Sequence, residues 1–206
     1  MKIAIVASAH APSEEDWKKI LKADFIIAAD GGARFFIDST RKPDLIVGDM
    51  DSLAPDILKV MKLESSLQFH PIEKAQTDLE LSLKEARRRL ASQIDVFSWA
   101  DHRMDYGLDS LYSASESTQP IDFYTHNCQL HILNQHRSPC NLRADHGTKV
   151  SVYSLRSPIS LRSKGLKWEL AWKGDSIFRS QSNRVTAEQI HIEVDEGAAF
   201  LLVENP

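Results

Sequence analysis

A chain of 206 residues, 42% hydrophobic and 26% charged, has the length and composition of one large or two small soluble domains with a sizeable core. A net charge of −4 gives no general attraction to nucleic acid or to an anionic membrane, so an anionic ligand needs a local device such as a cation or a helix N-terminus. The two cysteines, Cys128 and Cys140, form neither a zinc pattern nor a disulfide framework, which fits a cytoplasmic protein, and no apolar run reaches transmembrane length.

The N-terminal "KIAIVAS" reads as a buried strand; its apolar core is short and follows one basic residue, which argues against a secretory signal. "SEEDWKKILKA" reads as a helix with Ser13 as N-cap and acids in its first turn. "DFIIAAD" is a second strand, closed by Gly31 and Gly32, and "ARFFIDS" a helical candidate. "PDLIVGD" is a third strand, "APDILKVMKLES" a helix and "LQFHPI" a short strand. "TDLELSLKEARRRLASQ" is the clearest helix, with Leu79, Leu83, Ala86 and Leu90 at helical spacing. "DVFSWA" reads as a strand and "DYGLDSLYSAS" as a helix. This alternation predicts an α/β domain with a mainly parallel sheet covered on both faces.

Near residue 120 the helical period stops. "IDFYTH", "LHILNQ", "KVSVYSL", "LKWEL", "SIFRSQS", "QIHIEV" and "AAFLLVEN" read as short strands of an all-β, sandwich-like domain, with the polar "NQHRSPCNLRADHG" near the boundary. The division expected is residues 1–135 and 136–206.

Ligands of open α/β sheets bind beyond the carboxyl ends of the strands. Three acidic features fall there. Asp30 precedes Gly31 and Gly32, a pair that reads either as a plain turn or as a place where backbone N–H groups approach a phosphate. Asp49 and Asp51 end the third strand; in extended backbone they face one spot and repel unless a cation sits between them, and the alternative is a solvated loop whose Asp51 or Ser52 caps the next helix. Asp78 is the first residue of a helix whose Thr77 and Glu80 form a capping box, a position that favours an acid in any case. Together they make an oxygen-rich site for a hard cation, magnesium carried by a nucleotide. Arg103, with Asp105, suits phosphate oxygens or a surface ion pair. Trp168 and Trp172 read as packing residues, and His102, His126 and His131 as structural or surface residues.

The ordered set "ADGGARFF", "PDLIVGDMDS", "EKAQTD", "RMD", "KGLKWEL" and "SQSN" resembles thiamine pyrophosphokinase along the whole chain. The resemblance implies an α/β nucleotide- and magnesium-binding domain, a β-rich thiamine-binding domain, a homodimer, and transfer of the pyrophosphoryl group of ATP to thiamine with release of AMP. It implies Asp49, Asp51 and Asp78 as magnesium ligands, and Asp30, Gly31, Gly32, Lys74, Thr77 and Arg103 at the nucleotide. Catalysis falls to the three magnesium aspartates with Arg103 and Asp105, and Ser180, Ser182 and Asn183 meet thiamine across the dimer interface.

Two departures from the family pattern stand out. Ala75 replaces a carboxylate in "KAQTD", and "SWADH" places Ser98, Asp101 and His102 where the family has glycines, so that side chains there obstruct the phosphates. They leave open a relative that binds thiamine or nucleotide with little turnover. An aspartate-nucleophile phosphatase is disfavoured because its Asp-x-Asp belongs on the first strand, and a dinucleotide oxidoreductase because G-x-G-x-x-G is missing.

Overall fold

The computed structural model describes residues 1–100 and 103–205, and the readings placed on Asp101 and His102 lie outside them. The chain divides into two compact units, Met1–Ser110 with Phe123–Thr125, and Leu111–Asp122 with His126–Pro206. No helix among the described residues is long and apolar enough to cross a membrane.

The first unit holds β1 (Lys2–Val6), α1 (Glu14–Ile20), β2 (Phe25–Ala29), β3 (Leu45–Gly48), α2 (Pro55–Glu64), β4 (Ser66–Phe69), α3 (Asp78–Arg88), β5 (Gln93–Phe97) and the start of α4 (Met104–Ser115). Its strands run in the order β5-β1-β2-β3-β4, all parallel, with Ile5 opposite both Val96 and Ile27. Alternation along the strands explains the continuous apolar runs. Ala4, Val6, Ile26, Ala28 and Ile46 pack with Ile20 of α1 and Met61 of α2, while Ile3, Ile5, Ile27 and Val47 between them are equally buried. α3 packs against β1, β2 and β3.

The caps follow the sequence. Ser13 and Asp16 form a capping box on α1, and Thr77 and Glu80 form one on α3. Two local expectations are corrected. Residues Asp30–Phe36 form a 3-10 helix that starts at the end of β2, rather than an α-helix from Ala33. Leu90 is not the fourth member of the α3 stripe: it takes a left-handed conformation (φ 53°) and is 79% exposed. Ala91 N donates to Ala86 O and Leu90 N to Arg87 O, the pattern that stops a helix at a left-handed residue.

The second unit contains β7 (Cys128–Asn134), β8 (Cys140–Arg143), β9 (Lys149–Lys164), β10 (Ala171–Gly174), β11 (Arg179–Arg184) and β12 (Gln189–Glu204); β6 (Ile121–Tyr124) straddles the division. β9 and β12, 16 residues each, pair antiparallel along their length. β7 and β8 add to the two halves of β12, and β10 and β11 to β9. Val150, Val152, Leu161, Val185, Ile192 and Leu201 centre its core.

Here too the strand readings need correction. "QIHIEV" and "AAFLLVEN" are one strand with register shifts between Val194 and Ala199, not two. The polar stretch contains β8, and β10 was not anticipated. "LKWEL" is not a strand. Leu166 makes one isolated bridge to Val185, Lys167 N donates to Arg184 O at 2.8 Å and Leu170 O accepts from Ser163 N at 3.0 Å, and side chains take the groups between: Gly165 N and Leu166 N donate to Glu169 Oε1 at 2.8 and 3.1 Å, and Leu170 N to Ser163 Oγ at 2.8 Å.

Candidate active site

Asp30, Asp49 and Asp51 come together at the carboxyl ends of β2 and β3, with one carboxylate oxygen from each within 4.8 Å of the others. Strand geometry does not do this. β3 ends at Gly48, and the chain then turns through Met50 in a left-handed conformation (φ 66°). Asp49 Oδ1 accepts from Asp51 N at 3.2 Å, so the pair meets through a local turn and not through the side-chain alternation of a strand. Neither Asp51 nor Ser52 caps α2, whose N-cap is Ala54 without a side-chain bond. Asp30 Oδ1 accepts from Met50 N at 3.0 Å, which ties the ends of the two strands together.

Two glycines make this convergence possible. A Cβ on Gly48, at φ 154°, would lie 2.8 Å from Asp30 Cβ and 3.2 Å from Asp78 Cγ. A Cβ on Gly32 would lie 2.2 Å from Val6 O, so the second glycine of Asp30-Gly31-Gly32 serves a close approach to the end of β1.

Asp78 lies outside the group of three and is joined to it by Lys74. The ammonium is 2.8 Å from Asp49 Oδ2 and 3.2 Å from Asp78 Oδ1, the second contact close enough for an ion pair but not aligned as a hydrogen bond. The hydrogen bond from Lys74 holds the Asp49 carboxyl below its ordinary range. Burial pushes Asp78 up, with Lys74 opposing and Asp30 and Asp49 adding to the rise. Burial pulls Lys74 down, but Asp49 and Asp78 more than offset it and its pKa is raised. The chain thus places a cation of its own among acids that would otherwise repel.

The donor set fits a hard divalent ion. Octahedral magnesium bonds oxygen at about 2.1 Å, so its ligand oxygens lie roughly 3–4.2 Å apart. Oxygens already within 4.8 Å of one another reach that spacing by small rotations.

Beside the acids lies a cavity of about 440 Å³, lined in part by Asp30, Thr77, Asp78 and Arg103. Arg103 and Asp105 form a fork, Nε–Oδ1 2.9 Å and Nη2–Oδ2 2.6 Å, on the exposed start of α4. The Arg103 hydrogen bond lowers the Asp105 pKa to about 2. Arg103 also lies over the Tyr106 ring at 4.4 Å. Several lining residues escape a sequence reading: Ser8, Arg34, Ser52, Tyr106 and Ser110. Arg34 stands four residues after Asp30 and donates to Ser8 O at 2.8 Å, and a basic residue following Asp-Gly-Gly is the one signal that could have singled it out. Ala75, the departure in "KAQTD", is exposed.

Ser180, Ser182 and Asn183 lie on β11 of the second unit, at a bulge against β9. Ser182 is exposed, with φ 55°. Asn183 is 1% exposed and committed within the chain: its Oδ1 accepts from Trp168 N at 3.1 Å and its Nδ2 donates to Trp168 O at 2.7 Å. That clamp presents the Trp168 side chain, 56% exposed; Trp172 is 38% exposed, so of the core or interface packing expected of them the core is excluded. His131 is structural, buried with Nδ1 2.8 Å from Asp122 Oδ1. A larger cavity of about 600 Å³ in this unit contains none of the residues anticipated as functional.

The comparisons with known proteins give the family and the fold. The sequence matches the family model for the thiamin pyrophosphokinase catalytic domain over residues 17–123, and that for its vitamin B1 binding domain over residues 135–199. A search of curated proteins by sequence finds no match. Among solved structures, the chain is similar to a thiamin pyrophosphokinase family protein from Enterococcus faecalis, with a TM-score of 0.83, 18% identity and all of both chains covered. It is also similar to thiamine pyrophosphokinase from Bacillus subtilis (TM-score 0.78, 18% identity, all of both chains). For thiamin pyrophosphokinase from Candida albicans the TM-score is 0.76 at 19% identity, covering 100% of this chain and 89% of that one.

Proposed function

The chain belongs to the thiamin pyrophosphokinase family, a family of enzymes, and from that premise we propose that it transfers the pyrophosphoryl group of ATP to the hydroxyethyl oxygen of thiamine, giving thiamine diphosphate and AMP with magnesium required. The observation that carries this reading is the meeting of Asp30, Asp49 and Asp51 at one rim of a parallel sheet, beside a cavity lined by Arg34 and Arg103. Residues 1–135 are assigned the nucleotide and the metal, and residues 136–206 thiamine.

Asp49 and Asp51 are assigned as ligands together with Asp30, and Asp78 completes the acidic wall. Magnesium, when bound there, supplies charge that offsets the negative charge developing on the triphosphate oxygens. Arg103 turns its fork from Asp105 to a phosphate, which offers the same bidentate pattern of acceptors. Lys74 and Thr77, at the N-terminus of α3, and the Asp30-Gly31-Gly32 segment hold the nucleotide in place. Asp78, which lines the cavity, is assigned the proton of the attacking hydroxyl, and Asp105 orients Arg103 until a phosphate takes its fork. The gain in rate comes from positioning and fixed charge.

Thiamine is a cation, which suits an acidic rim, and Ser180 and Ser182 are assigned to it, with Asn183, committed to the Trp168 backbone, acting by holding that segment in place. The exposed Trp168, Trp172 and Ile177 of the second unit support a homodimer, since large apolar side chains in water favour a covering partner. A cytoplasmic location agrees with two cysteines that form no disulfide. Incubation with thiamine, ATP and magnesium, followed by chromatography, tests the reading. Thiamine diphosphate and AMP in equal amounts support it. Tight thiamine binding with neither product would instead favour a binding protein.

A further inference from the structure

Ser98 follows the last residue of β5 and carries two costs at once, a combination held by no other described residue. Its backbone is left-handed, φ 56°, a conformation that costs an L residue and not glycine. Its side chain is buried, the residue being 1% exposed, and its Oγ has no hydrogen-bond partner.

The backbone cannot relax out of this arrangement. Phe97 O accepts from Ala7 N at 3.0 Å and Ser98 O from Ala9 N at 2.9 Å, so the chain after β1 pins the residue from one side. Trp99 pins it from the other: its Nε1 donates to Tyr124 O at 3.2 Å and its ring lies 4.6 Å from that of Phe123. The Ser98 backbone is therefore held in place in the wall of the 440 Å³ cavity, and rotation about χ1 is the freedom that turns its hydroxyl toward a ligand there. The cationic residues of that lining are Arg34 and Arg103. A hydroxyl donor in the wall of a cavity that also presents two guanidinium groups, with Asp30 and Asp78 left to a cation, matches an anionic oxygen, to which its hydrogen bond is stronger than to a neutral one.

We propose that Ser98 is a nucleotide-binding residue, its Oγ donating a hydrogen bond to a phosphoryl oxygen of the nucleoside triphosphate. The side chain in "SWADH" is then a contact, not an obstruction. This inference rests on the nucleotide reading of the cavity.

The test compares Ser98→Ala and Ser98→Gly with the intact protein by three readouts: KM for ATP, calorimetric affinity for ATP, and melting temperature. Both variants should weaken ATP by roughly ten-fold, the loss of one hydrogen bond to a charged group, with KM for thiamine within two-fold of the parent. Ser98→Gly should melt above Ser98→Ala by a few degrees, because only glycine relieves the left-handed strain while both lack the hydroxyl. A purely structural serine would move the melting temperature and leave ATP affinity alone, and that result overturns the inference. So does tighter ATP binding by Ser98→Gly, which would make the side chain an obstruction. If the unaltered protein neither binds ATP nor forms AMP, the nucleotide reading itself falls, a result distinguishable from variants that bind as well as an active parent.

Discussion

Replacing Lys74 by methionine keeps the length of the side chain and removes its charge. Lys74 is 15% exposed, and its partners Asp49 and Asp78 are 11% and 24% exposed, so the pair is close to a buried one. Removing one partner of a buried ion pair costs about 3–5 kcal/mol, because the charge left behind has lost its compensation. The partial exposure of Asp78 argues for the lower end, about 3 kcal/mol. For a chain of this size that corresponds to a fall of about 6–12 °C in melting temperature in chelator. Magnesium should reverse much of the loss. An ion that binds the folded state stabilises it in proportion to the logarithm of its concentration over Kd, and in the variant it has no ammonium to displace. Thermal unfolding followed by circular dichroism, in EDTA and in millimolar magnesium, measures both effects. A deficit of the same size in the two conditions would refute the idea that Lys74 and a divalent ion compete for these acids, and so would a deficit under about 2 °C in EDTA.

Asp51→Asn should reduce thiamine diphosphate formation by orders of magnitude and leave the melting temperature within a degree or two, since Asp51 is exposed and its side chain accepts from neighbouring Ser52 at 3.1 Å; near-normal magnesium-dependent turnover removes Asp51 from the ligand set. Gly48→Ala should cost roughly 2–4 kcal/mol, because the added carbon falls 2.8 Å from Asp30 Cβ at a backbone angle that alanine disfavours, and chemical denaturation would show it as a lower midpoint. Burial pushes the Asp122 carboxyl up, but His131 and Arg137 outweigh it and leave its pKa at about 2. A carboxylate lowered from its ordinary value near 3.8 adds roughly 2 kcal/mol of stability above about pH 4, and loses it as pH falls toward 2. Urea midpoints between pH 5 and pH 2.5 should fall accordingly, and Asp122→Asn, weaker at neutral pH, should lack that acid-dependent component.

The parallel sheet was legible because β1, β2 and β3 are apolar on both faces, and few other folds accept such strands. α3 was legible from its capping box, since Thr77 and Glu80 bond each other's backbone whatever surrounds them. The second unit was harder. Pro158 and Gly197 read as breaks, yet both lie inside 16-residue strands whose pairing continues past them through register shifts. "LKWEL" alternates as a strand does, but the groups that would extend the ladder bond instead to Glu169, Ser163 and Asn183, and nothing local in the sequence announces those partners. At the site, all four aspartates could be named from their places at strand and helix ends. Their convergence was expected too, but not the way they meet, which depends on Met50, a residue type that gives no sign of a left-handed backbone, and on Lys74, which lies 25 residues from Asp49.

Among the described residues, five that are not glycine have positive φ; two of them, Asp30 and Met50, follow the strands whose ends form the acidic rim, and a third, Ser98, follows β5 in the wall of the adjoining cavity. Such conformations cost of order 1–3 kcal/mol each and persist only where the surroundings over-determine them. Each has its restraint: Met50 N on the Asp30 carboxylate, burial of Met50 to 4% exposure, and Ser98 O under Ala9 N. The same contacts that hold the strained backbone also fix the carboxylates, and Lys74 offsets the repulsion that would drive them apart. The site is therefore assembled before any substrate arrives. Fixed charges need no reorganisation as negative charge builds up during transfer, and that is the condition under which electrostatic stabilisation is largest. It follows that relieving strain at the rim, as Gly48→Ala cannot and Ser98→Gly can, separates the cost of building the site from the use made of it. A variant that gains stability at Ser98 and loses ATP affinity would show both in one molecule.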